Sequence, residues 1–102
     1  MKNLNSSQRS YLKGQAHNLE PMVQIGKNGL TDGAIHSINA ALSAKELIKI
    51  KFREFKDDKK DISEKITAET LSLMVGMIGH TVILFRQNPD PEKQNIHLPD
   101  LK

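Results

Sequence analysis

Apolar positions along the chain switch repeatedly between the 3.6-residue period of a helix and the two-residue period of a strand. Asn5-Ser6-Ser7-Gln8 is a helix start, with Asn5 or Ser6 as cap and Gln8 able to reach back to it. The helix runs to about His17, with Tyr11, Leu12, Ala16 and Leu19 at helical spacing and Gly14 as a weak point. Pro21 stops it, residues 22–25 form a short strand, and Gly26-Lys27-Asn28-Gly29 is a turn. Thr31 caps a second helix to about Ala44, on which Ile35, Ile38 and Leu42 make one apolar stripe.

Residues 47–53, Leu-Ile-Lys-Ile-Lys-Phe-Arg, are the clearest strand. Ile48, Ile50 and Phe52 face one way, and Lys49, Lys51 and Arg53 the other. After the charged turn Asp57-Asp58-Lys59-Lys60, the box Asp61-Ile62-Ser63-Glu64 opens a third helix that buries Ile62, Ile66, Leu73 and Met74 and ends at Gly76. Residues 77–78 and 81–86 are two strands joined near Gly79-His80. Helix, strand, helix, strand, helix, strand, strand gives an α/β (α+β) sandwich over residues 1–88. The segment 89–102 holds three of the four prolines and no apolar period, so it reads as a flexible polar tail.

A chain of 102 residues is one small domain, which argues against a large catalytic cleft. It has no cysteine, which removes disulfides, thiolate metal sites and thiol nucleophiles and suits a reducing compartment, here the cytoplasm. The longest apolar run, Val82-Ile83-Leu84-Phe85, is far short of a membrane span. The net charge of +3 is unevenly placed: residues 1–56 carry +5 and residues 57–102 carry −2. Such polarity presents a positive face, and polyanions are its commonest partners.

Catalytic signals are missing. His17, His36, His80 and His97 lie far apart, so no metal site is expected. Asp57, Asp58 and Asp61 lack the glycine and closing glutamate of a calcium loop. Gly26 to Gly29 lacks the Lys-Ser/Thr of a P-loop, and there is no G-x-S-x-G elbow. No cofactor is implied.

Two features remain. Gly26-Lys27-Asn28-Gly29 lies between a strand and a helix N-terminus, where glycines allow close backbone approach and unpaired N–H groups favour an anion such as phosphate. Lys27 adds a charge at its tip, although Asn28-Gly29 is also an ordinary turn pair. The second is the row Lys49, Lys51, Arg53, whose cations are spaced about 7 Å apart on one strand face. A solvated charged face is the plain alternative. Arg9 and Lys13, one helical turn apart, could extend the surface.

These residues resemble the CRM domain (chloroplast RNA splicing and ribosome maturation), specifically its stand-alone bacterial YhbY type. The resemblance rests on Ser7-Gln8-Arg9 with Tyr11-Leu12-Lys13, on Pro21-Met22-Val23-Gln24-Ile25-Gly26-Lys27-Asn28-Gly29-Leu30, and on Glu46-Leu47-Ile48-Lys49-Ile50-Lys51. It closes on Ile78-Gly79-His80-Thr81-Val82-Ile83-Leu84-Phe85-Arg86, where Phe85 replaces a frequent tyrosine. It covers roughly residues 4–87 and leaves the tail outside. It implies a mixed four-stranded sheet flanked by three helices, similar to the C-terminal domain of bacterial translation initiation factor three. It also implies RNA binding through the 26–29 loop and nearby basic residues, and association with precursors of the large ribosomal subunit.

The expected function is therefore non-enzymatic RNA binding, with a module that docks an acidic protein on the basic face as the alternative. With only Tyr11, Phe52, Phe55 and Phe85 and no tryptophan, stacking on an aromatic platform of the RRM kind is disfavoured against backbone recognition.

Overall fold

The computed structural model describes residues 4–98. Its elements are α1 (Ser6–Ala16), β1 (Val23–Ile25), α2 (Asp32–Lys45), β2 (Leu47–Phe52), α3 (Lys59–Thr70), β3 (Leu73–Ile78) and β4 (Thr81–Phe85). The caps expected for the first two helices are in place. Gln8 N donates to Asn5 Oδ1 at 2.9 Å while Asn5 N donates to Gln8 Oε1 at 3.2 Å, and Ala34 N donates to Thr31 Oγ1 at 3.0 Å. Each satisfies an amide that a helix start leaves unpaired.

The strands form one sheet in the order β1-β2-β4-β3. β1 runs parallel to β2, and the other two pairs are antiparallel. A parallel pair needs a crossover, which α2 supplies. The alternation read from β2 sorts the two faces. Ile48, Ile50 and Phe52, with Ile25, Val82 and Leu84, pack against Ile38 and Leu42 of α2 and Ile66 of α3. Leu47, Val75, Ile83 and Phe85 pack on the other side against Leu12 and Ala16 of α1. The molecule is an α+β sandwich with a mixed four-stranded sheet between helical layers, as expected.

The third helix differs from expectation at both ends. It starts at Lys59 rather than at a box on Asp61, Asp58 makes no side-chain cap bond, and Ser63 is buried with its hydroxyl unpaired. It ends at Thr70, because Leu71 turns left-handed (φ 54°) and the Thr70 hydroxyl bonds Ile66 O at 2.8 Å and Ser72 Oγ at 2.8 Å. Leu73 and Met74 continue the helical spacing of Ile66 in sequence, but they open β3. Gly76 therefore lies inside a strand, beside a register shift between Met74 and Gly76.

The tail also departs from expectation. Residues 88–98 lie on the domain instead of hanging free, held by Glu46. Glu46 is fully buried, and its carboxyl oxygens accept the amides of Asn88 (2.6 Å), Asn95 (2.6 Å) and Ile96 (3.0 Å). Ile96 and Leu98 then pack against the α1-side core. No local period announces this docking, because its anchor lies 42–50 residues away in sequence. Residues 99–102, with Pro99 and Leu101, lie outside the described residues.

Candidate functional site

Three loops converge at the end of the sheet where β1 and β2 finish and β4 begins. The backbone ties them together: Arg53 N and Glu54 N both donate to Ile25 O (2.9 and 3.2 Å), and Phe52 N donates to His80 O at 2.7 Å. The 26–29 loop, the 53–58 segment and the Gly79-His80 turn thus share one rim.

The 26–29 loop is a closed four-residue turn, with Gly29 N donating to Gly26 O at 3.0 Å. Gly29 sits at φ +67°, where a side chain is strained, and a Cβ there would lie 3.3 Å from Cε2 of Phe55. Gly29 is needed for both conformation and space. Lys27 and Asn28 are exposed at the tip. The start of α2 behind the loop is partly satisfied already, by the Thr31 cap and by Asp32 in the first turn. An anion at this end would therefore meet the loop and Lys27 more than an unsatisfied helix start.

The basic strand is divided by α1. Lys49 lies beneath the end of that helix, where its ammonium donates to Leu19 O at 3.0 Å and His17 O at 3.4 Å. It neutralises a helix C-terminus and is spent there. Lys51 lies one pleat further out, in a row that crosses all four strands: Gln24, Lys51, Thr81 and Ile78. The ends of this row are exposed, Ile78 at 64%, and Lys51 and Thr81 between them are half-buried. Arg53 follows it at the rim, exposed, with Nε donating to Gln24 Oε1 at 3.0 Å. Lys51 and Arg53 thus sit beside the 26–29 loop, and Lys49 does not.

Of Arg9 and Lys13, expected to extend the surface, Arg9 is half-buried and Lys13 exposed. Arg9 Nη1 donates to Met74 O at 2.9 Å and its Nη2 to Leu4 O at 3.3 Å, stitching α1 to β3 and to the chain before it. Lys13 lays its stem over Gly76, where a Cβ would come within 2.6 Å of Lys13 Cε. That contact explains a glycine inside β3 better than a helix end does.

Two further residues at the rim, Phe55 and His80, were not expected as site residues. Phe55 is left-handed (φ 57°) and 43% exposed, an apolar residue inside the charged run Arg53-Glu54-Phe55-Lys56-Asp57-Asp58. His80 contacts the Lys59 ammonium through Nδ1 at 3.2 Å, and the same ammonium donates to Gly79 O at 2.7 Å. Local desolvation, then the charges of Lys59 and Lys56, hold the imidazole below the usual histidine value, against an opposite pull from Asp57. Glu54, Asp57 and Asp58 interleave with the cations, so the positive field here is local rather than broad. Among the described residues no group of His, Asp or Glu could hold a metal ion, and no helix is long and apolar enough to cross a membrane.

The family model for the CRS1 / YhbY (CRM) domain matches residues 4–86. A Haemophilus influenzae protein named "RNA-binding protein" is 40% identical over 97% of this chain and 98% of its own length. The Bacillus subtilis "Probable RNA-binding protein YqeI" is 36% identical over 94% of this chain and 99% of its own. The solution structure of the hypothetical protein SAV1595 from Staphylococcus aureus superposes with a TM-score of 0.79 at 35% identity, covering 94% of this chain and 99% of that one. With this family match, near full-length relatives and a shared fold, the chain belongs to the CRS1 / YhbY (CRM) domain family.

Proposed function

We propose that the protein is a non-enzymatic RNA-binding module that grips the RNA backbone at the loop end of its sheet. One observation carries this reading: Lys27, Lys51 and Arg53 stand at one rim around the 26–29 glycine turn. Gly26, Asn28 and Gly29 supply the shape, and the three cations the charge. Lys49, Arg9 and Lys13 lie on the α1 side of the same sheet face, where Lys49 and Arg9 bond backbone carbonyls and Lys13 is exposed. Named relatives described as RNA-binding proteins support RNA as the polyanion.

The RNA is further proposed to be precursor RNA of the large ribosomal subunit, bound in the cytoplasm during assembly. No acid–base pair or metal cluster at this rim suggests turnover among the described residues. Recovery of RNA with the tagged protein from cells, at low and at high salt, tests the partner. Enrichment of large-subunit precursor sequence at low salt is expected, and a pool no different from total RNA contradicts it. In titrations with such RNA, Lys27→Ala should shrink the slope of log affinity against log salt by about 0.7–1, as for one lost phosphate contact. A variant that binds acidic protein partners less well and RNA equally well would favour the docking module instead.

A further inference from the structure

We propose that Phe55 is a stacking site for one unpaired nucleobase, beside the phosphate-binding loop. The inference rests on the reading of this rim as an RNA site. The other aromatic rings have structural employment: Phe52 and Phe85 are fully buried, and Tyr11 packs against the α1-side core. Phe55 is different. Its ring rests on Gly29, with Cε2 and Cζ 3.3 and 3.6 Å from the point a Cβ would occupy there, yet 43% of the residue stays open to solvent.

Nothing in the core requires a phenylalanine at this place. Its left-handed backbone suits glycine or asparagine better, and an exposed ring gains little from hydration. The backbone is held there by the turn bond from Asp58 N to Phe55 O at 3.0 Å. The ring is thus presented rather than tucked away, against the second glycine of the 26–29 turn. Arg53, Glu54, Lys56, Asp57 and Asp58 line an open depression with it. A flat apolar face flanked by Glu54 and Lys56, close to Arg53 and touching the 26–29 loop, fits a nucleotide whose base leaves the stack. One ring takes one base, which differs from a multi-aromatic platform. Duplex RNA keeps its bases stacked and offers this ring nothing, so the preference is for a loop, bulge or single strand.

Two variants test it. Phe55→Asn suits the left-handed backbone while removing the ring, so the fold should be kept. It should bind a single-stranded RNA oligonucleotide about tenfold more weakly than the parent, with an unchanged salt slope. Phe55→Trp places a single tryptophan in a chain that has none. Its fluorescence should be quenched by single-stranded RNA and unaffected by inorganic polyphosphate. Parental affinity in Phe55→Asn with no quenching in Phe55→Trp, while Lys27→Ala loses affinity, overturns the stacking site and leaves the RNA site standing. Failure of the parent protein to bind the oligonucleotide at any salt overturns both.

Discussion

Glu46→Ala should release the tail and lower stability far more than its place at a helix end suggests. The side chain is fully buried, and its two oxygens accept three amides of residues 88, 95 and 96. If those amides stayed in place unpaired, each would cost about 1–3 kcal/mol. Release of the segment is cheaper, because water then satisfies them, but it forfeits those three hydrogen bonds and the packing of Ile96 and Leu98. Breaking a buried hydrogen-bond network of this kind is expected to cost about 2–4 kcal/mol, or roughly 10–20 °C in Tm for a domain of this size. Thermal unfolding followed by circular dichroism measures it, and hydrogen exchange at Asn95 and Ile96 shows whether the segment has let go. A chain ending at Asn88 should lose a similar amount, and combining both changes should cost much less than their sum. Full additivity, or a truncation that shifts Tm by less than about 3 °C, would refute the clasp.

Lys51→Glu should keep Tm within a few degrees and weaken RNA binding similarly across sequences, whereas Lys49→Glu should lower Tm, since a carboxylate would face the carbonyls of His17 and Leu19; binding and melting curves on both variants separate them. Gly29→Val should lose about 1–2 kcal/mol in denaturant titrations, from strain at φ +67° and contact with Phe55. His80 titrates below its ordinary value of 6.5 in the folded chain, so between the two values the unfolded chain binds more protons. Stability should therefore rise with pH across that window and fall as pH drops through the folded value. Melting curves of His80→Gln between about pH 5 and 7 should lack that slope.

The helices, the β2 alternation and the 26–29 turn were legible because local period and capping chemistry decide them. Ile48, Ile50 and Phe52 had to share a face, since a one-residue slip would have put Lys49 and Lys51 in the core. The fate of the opposite row was not legible. Lys49 and Lys51 look alike in sequence, and only the length and docking of α1 decide that Lys49 bonds the end of a helix and Lys51 does not. The end of α3 escaped for a related reason: Leu73 and Met74 fit a helical stripe, but Thr70, Leu71 and Ser72 break the chain before them. Tail docking was illegible because a lone glutamate beside an apolar strand says nothing of amides half a chain away. Phe55 became visible as a surface ring only once Gly29 lay beneath it.

Amide chemical shifts of the full chain, recorded as single-stranded RNA is added, test the central claim most directly. The account predicts the largest changes at Gly26, Lys27, Asn28 and Gly29, at Lys51 and Arg53, and around Phe55 and His80. Residues of α2 and α3 that face away from this rim should hardly move. Changes centred instead on the clasped segment 88–98, or on the outer faces of α2 and α3, would contradict it.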